Sequence, residues 1–549
     1  MTIRHSAPSP NETVSGDFRA DYVIVGGGSA GCVLANRLTE DPETSVLLLE
    51  AGGVDKSWML AMPSAFYLPM GKPKFDWCYS SEEEPSMNGR RLACPRGRVL
   101  GGSSSINGMV YVRGHAADFD RWASMGAAGW DYQSVLPYFK KAECADEGRS
   151  VDEFRGGNGF LGTTTGALKN PLYQSFLEAT AQAGYPYTAD LNGAQQEGFG
   201  PMPMTVAQGQ RSSSSRSYLR PIGERKNLRV VTQAVVRRVR MQSGRAVGVD
   251  MQVKGEILQV VANKEVLLCA GAINSPQLLM LSGIGSPQDL KAVGVEPLVD
   301  IPGVGQNLMD HLEVYVQQSC VQPISLHKHL GLLGRAKIGI QWLTKRSGLG
   351  ATNHFEVGGF IRSDSSQLQP DIQFHFLPTA MTYDGSAKAR GHGFQVHVGP
   401  MLPKSRGAVS LRSARVEDAP KIVFNYLSHS DDWQVFRAAI RKAREIFAQP
   451  ALSHLRGPEL SPGSALASDE ELDAFVAAHA ESAYHPCGTC RMGSDVDAVV
   501  DPQGRVQKVL GLRVIDSSVF PHITNGNLNA PTIMLAERMA DLLRGRLIN

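Results

Sequence analysis

A glycine-rich turn near the start of the chain has the residue spacing of a dinucleotide-binding motif. Residues 26–31 read Gly-Gly-Gly-Ser-Ala-Gly and satisfy GxGxxG. In such a turn Gly26 permits the tight bend, Gly28 lets the backbone approach a pyrophosphate, and Gly31 lets helix and strand pack closely. Glu50 follows where a carboxylate can accept hydrogen bonds from ribose hydroxyls. The motif predicts dinucleotide binding, with a purely structural turn as the alternative, and does not separate FAD from NAD.

A second segment with residues suited to ligand binding lies at 95–108. It reads Pro-Arg-Gly-Arg-Val-Leu-Gly-Gly-Ser-Ser-Ser-Ile-Asn-Gly. A glycine- and serine-rich stretch between arginines can wrap a phosphate or the edge of a cofactor ring with backbone N–H donors. A flexible surface loop has the same composition, so this segment alone leaves both interpretations open.

The elements needed to position the first motif surround it. Residues 22–25 form an apolar run that predicts a strand, residues 30–38 have the apolar spacing of a helix, and residues 45–49 predict a second strand closed by Glu50. Together they have about the length of one βαβ unit.

The composition is that of a globular protein and excludes several classes. Of the 549 residues 42% are hydrophobic and 20% charged, which argues against global disorder. The 55 basic residues nearly balance the 53 acidic ones, so the net charge of +2 provides no field for gathering nucleic acid. No stretch reaches the roughly 18 uninterrupted apolar residues of a bilayer span.

The expected compartment follows from the cysteines and the first residues. Eight scattered cysteines suit a reducing environment. Residues 1–20 lack the apolar core of a secretory signal and are interpreted as a loose polar lead-in. We expect a cytoplasmic protein; peripheral association with the inner face of the cell membrane and the oligomeric state stay open.

Later segments predict a fold of the α/β class with two domains. The predicted elements are a hairpin of 229–241 with 245–253, a buried strand at 266–269, a helix capped by Ser275 or Asn274 with Pro276 in its first turn, an antiparallel sheet with one exposed face within 312–465, a strand at 512–515 and an amphipathic helix at 531–543. We expect a Rossmann-like dinucleotide-binding domain assembled from residues 21–165, 215–315 and 465–549. A sheet-rich α+β substrate domain of residues 166–214 and 316–464 is inserted between those pieces.

Four ordered motifs resemble those of the glucose–methanol–choline (GMC) oxidoreductases. The loop at 95–108 resembles the family's first signature, and residues 271–285 resemble its second. Residues 484–489 and 525–531 resemble its active-site and flavin-ring segments. The likeness extends from about residue 21 to residue 546, and within the family it is strongest to the choline-oxidising members.

The resemblance implies FAD as the cofactor, held by the Rossmann-like domain at its junction with the second domain. Some members tether FAD to a histidine of the Gly-Gly-Ser-Ser loop, but Ile106 stands at the corresponding place and cannot form that bond. We therefore expect non-covalent FAD and no metal. The residues expected to hold it are Gly26, Gly28, Ser29, Ala30, Gly31, Glu50, Ala51, Arg98, Gly101, Gly102, Ser103, Asn107, Gly108, Val236, Asp516, Asn529, Ala530 and Pro531.

Two residues are expected to carry the chemistry. Removing a hydride from an alcohol requires that the O–H proton also leave, so a base must lie within hydrogen-bond reach of the hydroxyl. His485, in the family's His-Pro motif, suits that task because the ordinary pKa of imidazole is about 6.5. Asn529 is expected to face the flavin beside His485 and steady the substrate oxygen as charge develops. Capping the helix at Pro531 is its structural alternative.

Two further residues are expected to contact substrate. Glu356 resembles a carboxylate that lies near the substrate's quaternary ammonium in related choline oxidases, and Tyr484 could supply an aromatic face for such a cation. A solvated carboxylate on a strand is the alternative for Glu356. For Asp516, expected near the ribityl–phosphate part of FAD, the alternative is a cap of the turn after it.

Three patterns suggest other chemistry and are interpreted as structural. Cys487 and Cys490 form a CxxC, and with His479 and Glu481 they imitate a zinc deaminase pattern. Too few residues separate Glu481 from the CxxC to place these ligands on separate helix starts around one metal. The pair Asp310-His311 could form a catalytic dyad, and we expect it to be structural.

These inferences predict an FAD-dependent enzyme that oxidises CH–OH groups without NAD. Choline oxidised to betaine aldehyde is the expected reaction, with a quinone-type acceptor or oxygen taking the electrons. Two alternatives stay open: the same chemistry on another primary alcohol (aliphatic, aryl or polyglycol), and a hydroxynitrile lyase that keeps FAD as a structural element.

Overall fold

Two seven-stranded sheets organise the chain. The computed structural model describes residues 18–145, 151–381 and 391–548. Almost all of the polar lead-in expected at 1–20 therefore lies outside the described residues. The mixed α/β class with a discontinuous first sheet is confirmed.

The first sheet contains the predicted βαβ unit. Its strand Arg19–Val25 pairs in parallel with Val46–Glu50 on one side and with Glu256–Leu268 on the other. Every residue of Val46–Glu50 is buried, as expected for a parallel sheet covered on both faces. The other strands of this sheet are Leu228–Thr232, Val235–Gln242, Arg245–Val253 and Leu512–Val514.

The hairpin expected from residues 229–253 forms only in part. Val235–Gln242 pairs antiparallel with Arg245–Val253, but Leu228–Thr232 leaves the hairpin and pairs in parallel with Val46–Glu50. The break lies at Gln233, which has a φ of +57°. The N–H groups of Gln233 and Ala234 donate to the carbonyls of Gly52 and Glu50. The carboxyl end of the strand Val46–Glu50 therefore fixes this turn.

The glycine turn allows a close approach of three segments. Gly26 has a φ of +103°, and a Cβ there would lie 2.5 Å from the carbonyl oxygen of Cys269. A Cβ at Gly31 would lie 2.0 Å from the carbonyl oxygen of Gly26. Only glycine fits at either position, and the helix Ser29–Leu38 can therefore begin directly at the strand end.

The helix that follows the strand Glu256–Leu268 begins earlier than expected. It spans Gly271–Leu281 with no side-chain cap, so the predicted cap by Ser275 or Asn274 is wrong and Pro276 lies inside the helix. A proline there removes one helical hydrogen bond, and the Thr489 hydroxyl supplies a donor to the carbonyl of Ala272 at 2.6 Å. A residue from a distant segment thus makes the interior proline tolerable.

The second sheet is antiparallel, but its expected exposed face is wrong. Ile372–Leu377 and Gly393–Pro400 are buried at every residue, and the helix Ser430–Phe447 packs against Gly393–Pro400. The polar positions of the alternation, such as Glu313 and His375, line an internal cavity instead of facing water. The strands of this sheet are Gly198–Pro201, Leu312–Cys320, Val357–Ile361, Ile372–Leu377, Gly393–Pro400, Arg456–Ser461 and Glu481–Ser482.

The remaining elements surround the two sheets. The other helices of eight or more residues are Ala116–Ser124, Tyr132–Ala142, Pro171–Gln182, Leu332–Lys345, Asp469–His479 and Asn529–Arg544. Shorter helical turns are Trp58–Ala61, Pro63–Ala65, Pro85–Met87, Gly102–Ser105, Ser215–Leu219, Arg220–Ile222, Pro287–Ala292, Leu326–His329, Gly348–Ala351, Pro450–Leu452 and Ser517–Val519. Shorter strands are Tyr79–Ser80, Ala93–Cys94, Glu143–Ala145, Leu161–Thr165, Pro203–Met204, Val206–Ala207, Gln210–Arg211, Ile284–Gly285, Val299–Asp300, Ala408–Ser410 and Lys421–Val423. Within the described part of the chain, no helix has the length and apolarity to cross a membrane.

Candidate active site

One long cavity is lined by residues of both sheets, by the glycine turn and by the loop at 95–108. Thirteen of the expected cofactor residues line it: Gly26, Gly28, Ser29, Ala30, Glu50, Ala51, Gly102, Ser103, Asn107, Gly108, Val236, Asp516 and Asn529.

Five expected cofactor residues do not reach the cavity: Gly31, Arg98, Gly101, Ala530 and Pro531. Gly31 packs on the Gly26 carbonyl, and a Cβ at Gly101 would lie 2.2 Å from the hydroxyl of Ser105. The Arg98 guanidinium lies 4.9 Å from the centre of the Trp77 ring, which itself lines the cavity. These five residues are not part of the cavity wall in this structure.

Glu50 presents a carboxylate at the end of the second strand. It accepts hydrogen bonds from the N–H groups of Gly27 (2.9 Å) and Gly52 (2.7 Å). Burial raises the pKa of this carboxyl from 4.5 to about 7, although the two N–H donors partly oppose the rise. A ribose that donates its hydroxyls to Glu50 would favour the charged form, so the site suits the ribose of a dinucleotide.

Two helix N-termini at the cavity keep free N–H groups. The helices Ser29–Leu38 and Asn529–Arg544 both begin without a side-chain cap. A third helix at the cavity, Gly271–Leu281, differs, because the Asp516 carboxylate accepts a hydrogen bond from its first N–H, that of Gly271, at 2.8 Å. Uncapped helix N-termini bind anions such as pyrophosphate. The Ser29 hydroxyl donates to the side chain of Asn529 at 2.8 Å and ties the two termini together. These donors fit the phosphates of FAD.

The position of Asn529 corrects one expectation. Its amide oxygen is held by Ser29 at the glycine turn, and the side chain that reaches His485 is Asn527, whose Nδ2 lies 3.1 Å from His485 Nε2. Asn529 is the first residue of a helix, whereas Asn527 lies in the loop before it. The sequence contains no signal that shows which of these two asparagines contacts His485.

The His485 ring is oriented by a chain of hydrogen bonds that also fixes its tautomer. His311 Nε2 lies 3.0 Å from the carbonyl oxygen of Met401, which only accepts, so His311 carries its proton on Nε2. His311 Nδ1 is then an acceptor, and it lies 3.0 Å from His485 Nδ1. His485 therefore holds its proton on Nδ1 and leaves Nε2 unprotonated.

The other neighbour of His485 agrees with this assignment. Gln373 Nε2 donates to the Asn527 amide oxygen at 3.2 Å, so the Asn527 Nδ2 group faces His485 as a donor. A donor there requires an unprotonated His485 Nε2. The lone pair that a base needs is thus directed to the side of the ring where Asn527 lies.

Asp310 holds the backbone of the same residue. Its carboxylate accepts from the His485 N–H at 2.6 Å, and from the hydroxyls of Tyr426 and Ser482 at 2.5 Å each. Because Asp310 contacts the backbone and His311 contacts the ring, the two residues position His485 and do not form a dyad of their own. Burial raises the pKa of Asp310, and hydrogen bonds from Ser482 and Tyr426 oppose the rise.

The electrostatic setting keeps His485 neutral. Burial lowers its pKa well below 6.5, and His311, His375 and Arg96 lower it further. Burial also lowers the pKa of His375 to about 4 and that of His311 to about 3. A lowered imidazole pKa means that the base form is present throughout neutral pH, so no prior deprotonation is needed.

Glu356, the carboxylate expected to contact substrate, does not line the cavity, whereas Glu313 does. Glu356 is absent from the cavity wall; its carboxylate accepts from the N–H of Leu168 (2.8 Å) and from the Thr352 hydroxyl (2.7 Å). Glu313 lines the cavity and is buried. Glu313 gives no separate signal in the sequence, because it follows the Asp310-His311 pair in a run whose pattern indicates a structural role.

Tyr484 lines the cavity next to His485, as expected. It has a φ of +65°, and Arg96 donates to its carbonyl oxygen at 2.8 Å. Arg96 therefore helps to hold a left-handed backbone at the residue before His485.

The two thiols of the CxxC are buried. Cys487 and Cys490 are buried free thiols, and burial raises the pKa of both well above 9. Such thiols are poor nucleophiles. In residues 18–145, 151–381 and 391–548 no cluster of three histidine, cysteine or acidic side chains is arranged to hold a metal.

Comparison with known proteins agrees with the site. The sequence profile of the GMC oxidoreductases matches residues 20–313 in its amino-terminal part and residues 403–536 in its carboxy-terminal part. The oxygen-dependent choline dehydrogenase of Vibrio vulnificus is 55% identical over 527 residues, 95% of this chain and 94% of that protein. The corresponding protein of Brucella ovis is 52% identical over 531 residues, 96% of each.

Solved structures agree as well. Pyridoxine 4-oxidase from Mesorbium loti superposes with a TM-score of 0.87 at 32% identity, covering 96% of this chain and 99% of the other. An Aspergillus oryzae formate oxidase variant, studied for its FAD modification, superposes with a TM-score of 0.91 at 27% identity, covering 97% and 99%. The matched profile covers most of the chain, the relatives align over nearly all of it, and the cavity offers the donors that FAD requires. The chain belongs to the GMC oxidoreductases, FAD-dependent enzymes that act on CH–OH groups.

Proposed function

We propose that this protein oxidises choline to betaine aldehyde with non-covalently bound FAD and passes the electrons to oxygen. The observation that carries the proposal is the buried Glu313 carboxylate in the wall of the cavity that also contains His485 and Asn527. Relatives 52–55% identical are named oxygen-dependent choline dehydrogenases, which supports both the substrate and the acceptor.

His397 lies beside the Glu313 carboxylate, and a hydrogen bond on the far side of its ring fixes its tautomer. Gln395 Oε1 accepts from the N–H of Met381 at 2.8 Å, so its Nε2 donates to His397 Nε2 at 2.6 Å. His397 Nε2 is then unprotonated, and its proton lies on Nδ1, 2.9 Å from Glu313. A neutral imidazole does not cancel the carboxylate charge, and a second proton on His397 would put two donors face to face.

A buried carboxylate beside aromatic rings is the receptor expected for a quaternary ammonium. Phe355 lines the same cavity, and its ring centre lies 5.6 Å from that of His397. Tyr484 lines it too. A neutral alcohol would leave Glu313 without a counter-charge in a buried position, which is costly. The charge of the site therefore selects a cationic alcohol.

The residues around the substrate hydroxyl manage its proton. His485 Nε2 accepts the hydroxyl proton, and Asn527 Nδ2 turns from His485 to donate to the substrate oxygen as negative charge develops there. During the transfer His311 holds the ring of His485, and Asp310 holds its backbone. Bound flavin supplies the acceptor for the hydride of the α-carbon.

Two further parts of the proposal are that FAD is bound without a covalent link and that the protein is located in the cytoplasm. Ile106, 3% exposed and lining the cavity, offers only an alkyl side chain where a covalent link would form. The eight cysteines are free, which supports a location in the reducing cytoplasm.

The test compares choline with 3,3-dimethyl-1-butanol, which has the same shape and no charge. The wild-type enzyme is expected to show a kcat/KM for choline about 10²–10⁴-fold higher than for the neutral alcohol, since an unpaired buried charge costs about 3–5 kcal/mol. Glu313→Gln is expected to abolish most of that difference by lowering activity on choline alone. Oxygen uptake is recorded beside reduction of a quinone dye.

Three results would contradict the proposal. Equal activity on the two alcohols in the wild type would indicate a general primary-alcohol oxidase. Discrimination that survives Glu313→Gln would place the cation elsewhere. Flavin that is not bleached anaerobically by any alcohol would exclude oxidation and favour a lyase.

A further inference from the structure

Arg211 is a buried cation that pairs with no carboxylate. Its side chain is 1% exposed, and none of the ion pairs in the part of the chain that the structure describes includes it. Among the same residues, the guanidinium Nη2 has no hydrogen-bond partner. Burial and, to a smaller extent, the charge of Arg216 lower the pKa of Arg211 from 12.5 to about 9, so the side chain is still charged at neutral pH. An unpaired buried charge is costly, and its position therefore requires an explanation.

The hydrogen bonds of Arg211 end on the loop that lines the cavity. Its Nη1 donates to the carbonyl oxygens of Ser104 (3.2 Å) and Asn107 (2.7 Å) and to the side-chain Oδ1 of Asn107 (2.7 Å). Its Nε donates to the carbonyl oxygen of Leu60 at 2.9 Å. The loop carbonyls lie at the end of the helical turn Gly102–Ser105, where carbonyls need partners from outside the turn. A neutral amide can serve such carbonyls as well, so these contacts do not explain why the donor is charged.

Arg211 also fixes the orientation of a side chain in the cavity wall. Asn107 lines the cavity, and its Oδ1 accepts from Arg211 and from the N–H of Met109 at 3.1 Å. Because both of these donors lie on Oδ1, the Nδ2 group is left to donate toward the cavity. The Asn107 amide and the guanidinium behind it thus present positive charge to the same part of the cavity.

This part of the cavity is the end that contains His485. Gly108 follows Asn107, and a Cβ at Gly108 would lie 3.8 Å from the Phe355 ring. The centre of that ring lies 5.7 Å from the ring centre of His375, which lines the cavity together with His485. Arg211 therefore lies behind the wall at the end of the cavity where the substrate hydroxyl is expected.

Hydride transfer changes the charge of the flavin. A hydride ion carries two electrons and one proton, so its addition to the neutral oxidised ring gives a ring with one negative charge. The proton of the substrate hydroxyl goes separately to the protein. A buried cation near the ring then gains a counter-charge that it lacks while the flavin is oxidised, which favours the reduced form.

We propose that Arg211 is a positioning residue that raises the reduction potential of the flavin. It acts through its own charge and through the Asn107 amide that it orients, and it touches neither substrate nor flavin directly. The inference rests on hydride transfer to FAD and does not depend on choline as the substrate. A purely structural Arg211 is the alternative, and its loss would weaken the binding of oxidised and reduced FAD equally, with no change in potential.

The experiment measures the midpoint potential of the flavin in the holoenzyme. Slow reduction by xanthine and xanthine oxidase beside a reference dye needs no alcohol, so the result is independent of the substrate proposed above. In the wild type the potential is expected to lie at least about 30 mV above that of free FAD, which corresponds to about tenfold tighter binding of the reduced form.

Two substitutions separate the charge from the hydrogen bonds. Arg211→Gln keeps an amide donor and removes the charge, and it is expected to reduce the preference for the reduced form about 10–100-fold, which lowers the potential by about 30–60 mV. Arg211→Lys keeps the charge and is expected to retain a preference within about threefold of wild type. The matched control is Arg216→Gln, which removes a half-buried cation whose guanidinium donates to Gln210 and is expected to change the preference less than about twofold.

Binding of oxidised FAD to each apoprotein and thermal melting of each holoenzyme show whether the variants fold. A wild-type potential at or below that of free FAD would overturn the proposal without the use of any variant. An unchanged potential in Arg211→Gln, or an equal loss in Arg211→Lys, would overturn the role of the charge. Equal weakening of oxidised and reduced FAD in Arg211→Gln would leave Arg211 with a structural role alone.

Discussion

Replacing His311 with phenylalanine tests whether the tautomer of His485 is set by its neighbour. Phenylalanine keeps an aromatic ring at a fully buried position and removes the nitrogen that lies 3.0 Å from His485 Nδ1. The substitution leaves the Asn527 contact in place, so the His485 ring keeps one of its two hydrogen-bond partners.

The magnitude follows from counting those partners. In the wild type the wrong tautomer would break both hydrogen bonds of the ring, each costing about 1–3 kcal/mol when buried, which keeps it below about 4% of molecules. In the variant the productive tautomer keeps its Asn527 hydrogen bond but has an unpaired, buried Nδ1–H, which costs about 1–3 kcal/mol. We expect flavin reduction to slow about 10–100-fold, below the ~10⁴-fold loss that a wrong histidine tautomer causes in a serine protease.

The assay is anaerobic stopped-flow reduction of bound flavin by choline. Flavin absorbance before mixing verifies that the cofactor is bound, and thermal melting verifies the fold. Tyr426→Phe is the matched control, because it removes one of the hydrogen bonds that hold Asp310 while the tautomer chain stays intact, and a loss of less than about tenfold is expected. Reduction within about threefold of wild type in His311→Phe, or an equal loss in Tyr426→Phe, would refute the tautomer argument.

Three further outcomes are expected, for the two asparagines, for Glu50 and for the bound cofactor. Asn527→Ala is expected to slow flavin reduction about 10–100-fold, because it removes the donor to His485. Asn529→Ala is expected to weaken FAD retention and to leave the reduction rate of bound flavin within about threefold of wild type. Stopped-flow reduction and flavin absorbance measure the two effects, and the reverse pattern would contradict the assignment. Because the folded-state pKa of Glu50 is raised from 4.5 to about 7, the folded apoprotein holds this proton more tightly than the unfolded chain. Its stability is therefore expected to fall as the pH rises between about 4.5 and 7, by up to about 3 kcal/mol, and urea melts of Glu50→Gln should lack that part of the decline. Acid precipitation of the holoenzyme is expected to give a colourless pellet and a yellow supernatant, and a yellow pellet would establish a covalent link.

Local constraints explain what could be predicted from the sequence. The glycine turn, the strand ending in Glu50 and the second strand pattern depend on backbone conformation and on neighbours close along the chain. The motifs around 95–108 and 484–489 are equally local, and they were enough to predict the GMC family, FAD and His485. The alternation of polar and apolar residues in the second sheet was also correctly identified, although its polar face lines the cavity instead of meeting water.

The residues that complete the site were decided by tertiary packing. Asn527 replaces Asn529 beside His485 because a helix begins at Asn529 and ties that side chain to Ser29. Glu313 replaces Glu356 because the strand carrying Glu313 faces the cavity, whereas Glu356 is bound by neighbouring polar groups behind it. In each case two residues of the same type lie in plausible segments, and only the approach of distant segments selects one. The sequence was enough to predict the cofactor and the candidate base, since the motifs that resemble those of the family are local in the chain. The three-dimensional structure determined which residues lie beside them, since contact between residues far apart in the chain is a property of the fold.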